Sequence, residues 1–124
     1  MSRSADATYR SVSPILSVRD MATALDYYQR VLDFQIAWTW GEPPSMAAIC
    51  RDDTEIQLAL TPKVEFHVSR IYIHVTGVDA IHKRASDAGA TINHPIGDQP
   101  YGMRDFQVID PDGNRIGFGE AIVE

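Results

Sequence analysis

The chain has 124 residues, with 11 lysines and arginines against 17 aspartates and glutamates, a net charge of −6 that argues against nucleic acid or an anionic membrane as partner. Hydrophobic residues at 44% and charged residues at 23% exclude a disordered chain. Cys50 is the only cysteine, no apolar run approaches the roughly 20 residues of a membrane helix, and the opening residues lack a secretion signal, so a cytoplasmic, disulfide-free protein is expected.

Residues 1–9 read as a flexible N-terminus. Ser11 to Val18 alternates as a strand, with Val12, Pro14, Leu16 and Val18 on one side. Pro14 cannot donate to a ladder, so that strand is expected at a sheet edge or to donate only from its other residues. Asp20 reads as a helix N-cap, followed at helical spacing by Met21, Ala24, Leu25, Tyr28, Val31 and Leu32. Phe34 to Trp40 is a second strand, broken by Gly41-Glu-Pro-Pro44. Met46 to Arg51 and Glu55 to Leu60 form a hairpin around Arg51-Asp-Asp-Thr54.

The second half repeats this order. Arg70 to Val75 is a strand, Val78 to Ala88 a helix closed by Gly89, and Thr91 to Ile96 a strand. Arg104 to Ile109 and Arg115 to Glu120 form a hairpin around Asp110-Pro-Asp-Gly-Asn114, where Pro presets φ and Gly accepts a positive one. Val18, Met21, Ala24, Tyr28 and Val31 find Val75, Val78, Ile81, Ala85 and Ala88 each 57 residues further on. Two modules, residues 10–66 and 67–124, sharing one structural domain are therefore expected. A solenoid is not, because it needs at least about three repeats.

The segments Pro14-Ile-Leu-Ser-Val-Arg-Asp20, Tyr27-Tyr28, Leu32-Asp-Phe34, Val78-Asp-Ala80, Gly97-Asp-Gln-Pro-Tyr-Gly102, Arg104-Asp-Phe106 and Asp110-Pro-Asp-Gly-Asn114 occur in this order over residues 10–121. In order and spacing they resemble the vicinal oxygen chelate superfamily of glyoxalases, bleomycin resistance proteins and extradiol dioxygenases. Gln99-Pro-Tyr-Gly-Met-Arg-Asp-Phe106 is especially similar to the bleomycin resistance branch. The resemblance implies an α+β fold of two βαβββ modules with cupped mixed sheets, assembled as a homodimer.

Metal-dependent members of that family place one ligand on each of four strands, usually His, Glu or Gln. Carried over residue by residue, those positions fall on Ser13, Gln57, Arg70 and Gly117. Gln57 is at best a weak ligand, Arg70 is a fixed cation and Gly117 has no side chain, so no metal and no other cofactor is expected. His67, His74, His82 and His94 are scattered and read as structural, although His74 shares strand parity with Arg70 and Tyr72. Cys50 reads as a core strand residue, and Arg104 with Asp105 as a structural contact.

A small-molecule cleft is expected instead. Ser13, Gln57, Arg70 and Tyr72 share an inward parity, Trp38 and Trp40 share a face with each other, and Tyr101 lies on the loop before the seventh strand. Stacked aromatics suit a planar ligand, and Arg70 suits a carboxylate, a phosphate or a ring. The tryptophans equally suit a module or dimer interface. The sequence thus points to a metal-free binding protein, without catalytic residues, that sequesters an aromatic or cationic antibiotic. A metal-dependent glyoxalase-like lyase, isomerase or dioxygenase is the alternative, and a regulatory module with a plugged cleft is a third.

Overall fold

A computed structural model describes residues 5–123, so part of the expected flexible N-terminus, residues 1–4, lies outside the described residues. The elements are β1 (Ile15–Val18), α1 (Met21–Arg30), β2 (Gln35–Trp40), β3 (Met46–Arg51), β4 (Thr54–Leu60), β5 (Arg70–His74), α2 (Val78–Asp87), β6 (Thr91–Asp98), β7 (Met103–Ile109) and β8 (Arg115–Ala121). They form two mixed sheets of the same topology, β1-β4-β3-β2 and β5-β8-β7-β6. β1 runs parallel to β4 and β5 parallel to β8, while the remaining pairs are antiparallel. The registers repeat as well: Ile15 faces Gln57 in the first sheet, and Tyr72 faces Gly117 in the second. Among the described residues, no helix is long and apolar enough to cross a membrane.

β1 is shorter than the expected strand. Pro14 stands just outside it and only its carbonyl is used, accepting from the Gln57 amide at 2.9 Å, as an edge position allows. Val12 is exposed and does not share the buried side of Leu16 and Val18. α1 opens on Asp20, whose carboxylate accepts from the Thr23 amide at 3.3 Å. α2 has no side-chain cap of its own. Its first amide, on Val78, donates at 3.1 Å to Glu120 from β8, so a distant strand satisfies a helix end. At the far end of α2, Gly89 takes φ +82, the left-handed turn that ends many helices.

One face of each sheet is packed into a single core. Leu16, Val18, Ala47, Ile49, Ile56 and Leu58 line it from the first sheet; Phe106, Val108, Ile116 and Phe118 line it from the second. Tyr28 and Val31 of the first helical segment and Val78 and Ala85 of the second complete it. Phe106 and Phe118 stack at 5.3 Å, and His82 meets the Phe106 ring edge-on at 5.0 Å, which makes it a packing residue.

The Asp110–Asn114 turn has a second task beyond reversing the chain. Asp110 Oδ1 accepts from the amides of Asp112 and Asn114, and Asp110 Oδ2 accepts from the Tyr28 hydroxyl at 2.7 Å. Asn114 donates to the Ser17 carbonyl at 3.0 Å and accepts from the Ser69 amide at 2.8 Å. Asp112 accepts from the Arg19 amide, and the Arg19 guanidinium lies 3.8 Å over the Phe66 ring in the connecting segment. One buried turn of the second half therefore bonds to β1, α1 and the connection. Burial and the Asp110 carboxylate hold the Tyr28 phenol well above its usual range, so it stays a donor.

Burial also raises the Asp112 carboxyl above its ordinary 3.8, with Arg19 acting in the opposite direction. A carboxyl raised in the folded state weakens folding as pH climbs above 3.8 through its folded value. Asp112→Asn keeps an acceptor for the Arg19 amide and removes that penalty. Urea unfolding at pH 3.5 and 7 is expected to show the variant gaining on the wild type only at the higher pH.

Candidate functional site

Each sheet has a second face, directed away from the core. On the first sheet, the register sets out rows of neighbours: Trp38–Ala48–Gln57–Ile15 and Trp40–Met46–Ala59–Ser17. Trp38 is 41% exposed and Trp40 69%. Their placement depends on a bulge between Ile36 and Trp38, because Ile36 pairs with the core residue Ile49 and Trp38 with Ala48. Were Ala37 paired regularly with Ala48 instead of bulged, Trp38 would pair with Ala47 and point into the core. Cys50 lies on this open face, half-buried, between Gln35 and Glu55. Its expected place in the core is thus corrected, since it alternates with Ile49, which takes the buried side.

Ser13 donates to Glu55 Oε1 at 3.2 Å beside this face. Gln57 lies in mid-row, half-buried. A groove of about 310 Å³ runs from here to the second sheet, lined by Val12, Pro14, Glu55, Tyr72 and His74.

The second sheet carries the rows Arg70–Arg115–Ile109, Tyr72–Gly117–Gln107–His94 and His74–Gly119–Asp105–Gly97. A second bulge, between Ile92 and His94, matches the first in position. The Tyr72 ring lies flat along β8. A Cβ on Gly117 would come within 3.1 Å of it, and a Cβ on Gly119 would occupy the place of its hydroxyl. Two glycines therefore make the bed for one tyrosine.

Tyr72 and Tyr101 both donate to Asp105 Oδ2, at 2.9 and 2.6 Å. Asp105 is 3% exposed, and its Oδ1 has no hydrogen-bond partner among the described residues. His94 Nε2 stands 3.5 Å from that oxygen and 3.1 Å from Gln99 Nε2. Desolvation, then the Asp105 hydrogen bond, push the Tyr72 phenol up to about 12. Both hydroxyl protons are committed to the carboxylate, so these phenols offer only oxygen lone pairs and ring faces to a ligand.

The sequence missed Asp105, which it paired with Arg104. The two residues point to opposite faces: Arg104 binds Asp79 and Asp98 on the core side, while Asp105 gathers the tyrosines. Period-2 alternation within β7 carried that signal. Its partners, Tyr72 and Tyr101, are far away in sequence.

The four chelating positions do not fit a metal. Gly117 supplies no donor, and a Cβ placed there would already stand 3.1 Å from the Tyr72 ring. Arg70 brings a positive charge, and among the described residues no His, Cys, Asp and Glu group of three could hold an ion.

Two mixed four-stranded sheets, each with one helix on its core side and an open face of aromatic and amide groups, are the architecture of the glyoxalase and bleomycin resistance fold. The chain belongs to the Glyoxalase/Bleomycin resistance protein/Dioxygenase superfamily, whose family model matches residues 10–118. It is 30% identical to an uncharacterized protein of Mycobacterium bovis, covering 92% of this chain and 85% of that one. It is similar in structure to TioX from Micromonospora sp. ML1, with a TM-score of 0.81, 23% identity, and coverage of 91% of this chain and 100% of that one. It is also similar to the bleomycin-binding protein of Streptomyces verticillus, solved with copper(II)-bleomycin. There the TM-score is 0.75 at 25% identity, over 95% of this chain and 99% of that one.

Proposed function

We propose that this protein is a metal-free binding protein that sequesters a small planar aromatic compound, an antibiotic of the bleomycin type among the candidates, without making or breaking a bond. The observation that carries this reading is the exposure of two aromatic faces, one with Trp38 and Trp40, the other with Tyr72 and Tyr101 oriented by a buried carboxylate. Rings on rigid strands give stacking area at little entropic cost. Ser13, Gln57 and Arg70 add polar contacts at the margins. The bleomycin bound by the Streptomyces verticillus protein supports the ligand class.

The working unit we propose is a cytoplasmic homodimer, in which a second copy covers part of these faces and completes the cleft. Sedimentation is expected to give twice the chain mass; a monomer at micromolar concentration counts against this assembly.

Titration of a bleomycin-type panel is expected to quench tryptophan fluorescence, and Trp38→Phe with Trp40→Phe to lower affinity at least about tenfold for a stacked ligand. No quenching by any member would sink the reading. A metal-dependent lyase or dioxygenase is disfavoured by Gly117 and Arg70, which put no donor and a fixed cation at two of the four chelating positions. Stoichiometric nickel, zinc, iron or manganese in protein purified without chelator would reverse that judgement.

A further inference from the structure

We infer that Arg70 and Arg115 form an anion-binding site for a carboxylate or phosphate group on the ligand. This deepens the binding reading above and rests on it for the aromatic part of the ligand. The two arginines are register partners on the parallel strands β5 and β8, so their side chains leave the same face next to each other. That face is the open one, because Ile71 and Ile116, their neighbours in sequence, pack into the core. Both arginines are exposed.

Neither has a carboxylate partner among the described residues. Arg19 reaches Asp112, Arg30 reaches Asp26, Arg51 and Arg84 reach Asp33, and Arg104 reaches Asp79 and Asp98. In a chain with six more acidic than basic residues, these two cations stand side by side on neighbouring strands without a salt bridge to any carboxylate among the described residues. Like charges on neighbouring strands repel, and a sheet gains nothing structural from keeping them there. Two planar guanidinium forks on adjacent strands instead match an oxyanion, each able to give two parallel hydrogen bonds. One step along the same strands, the Tyr72 ring lies on Gly117, so an anionic group held by the arginines would carry its attached ring over a flat aromatic surface. The acceptor oxygens of Tyr72 and Tyr101 lie further along that face. Polarity is thus ordered: cations first, then ring, then acceptors. A ligand with an oxyanion at one end and an N–H group at the other fits that order.

The test uses the full chain with three probes of one shape, 1-naphthoate, 1-naphthyl phosphate and 1-naphthamide, followed by tryptophan fluorescence. The anionic probes are expected to bind roughly tenfold or more tightly than the amide, with a preference that falls as salt is added. Arg70→Gln and Arg115→Gln should each bring the anions down to the amide's affinity. Equal binding of all three probes, unaffected by either variant, overturns the anion site while the stacking reading survives. Variants that shift the monomer–dimer balance but not probe affinity also overturn it, because the arginines then serve the subunit contact. If no naphthyl probe binds, the stacking reading fails, and inorganic phosphate decides the anion site alone. A saturable shift of the arginine Nε–H NMR signals, lost in Arg115→Gln, supports it; no shift overturns it. Between carboxylate and phosphate, the tighter of the two naphthyl anions identifies the group.

Discussion

Asn114→Ala is expected to lower the unfolding free energy by about 3–4 kcal/mol, one of the larger losses any single substitution in this chain should produce. The residue is fully buried, and its amide does work that no other group can take over. It accepts from the Ser69 amide, donates to the Ser17 carbonyl and donates to Asp110 Oδ2. Truncation takes this partner from the Ser69 amide and the Ser17 carbonyl, at about 1–3 kcal/mol each before any water enters, and leaves Asp110 Oδ2 with the Tyr28 hydroxyl alone. Tyr28→Phe should cost less, about 1–2 kcal/mol, because Asp110 keeps its two backbone amides and the ring keeps its packing against Phe34. Urea denaturation of both variants checks the order as well as the size. A loss below about 1 kcal/mol for Asn114→Ala would show that the turn is a simple reversal and not a clasp between the halves.

Gly119→Ala is the second substitution expected to have a large effect, and it acts through a partner. The new methyl group would stand where the Tyr72 hydroxyl lies, so the ring must leave its bed and release Asp105. The φ of Gly119 is one that other residues adopt, so backbone strain is not the cause. About 2 kcal/mol of stability should be lost, together with the stacking surface. Gly117→Ala should cost clearly less, since a methyl there meets the ring edge at 3.1 Å and a small tilt relieves it. The decisive measurement is a double-mutant cycle. In a Tyr72→Ala background the same Gly119→Ala change should be neutral or slightly stabilising, because the contested space is empty. Additive effects would mean that Tyr72 is not what the glycine accommodates.

These two sites differ in how far the sequence foretold them. The Asp110–Asn114 turn was plain as a turn, from the local chemistry of Pro111 and Gly113. Its bonds to Ser17 and Tyr28 span more than 80 residues, and nothing local encodes them. The Tyr72 bed was half legible. Parity placed Tyr72 and Gly117 on the same kind of face, but the ring's path over Gly117 and Gly119 to Asp105 belongs to three strands at once.

The tryptophans give the sharpest case. Their spacing of two settled that they share a face, yet not which face. The bulge at Ala37 decided that, by turning both from the core to the open side. A bulge is one unpaired residue in a ladder, and only the partner strand reveals it. The second bulge does the same for His94, which read as an isolated histidine and lies beside Asp105.

By itself, then, the sequence determined the elements, their order, the repeat and the family. These follow from periodicity, caps and turns, which act over a few residues, and from a 57-residue spacing that recurs in the chain. Tertiary structure alone decided which face each strand turns to the core, which carboxylate collects the tyrosines and which arginines stand side by side without a counter-charge. Those outcomes depend on register between strands distant in sequence, where a shift of one residue inverts every side chain.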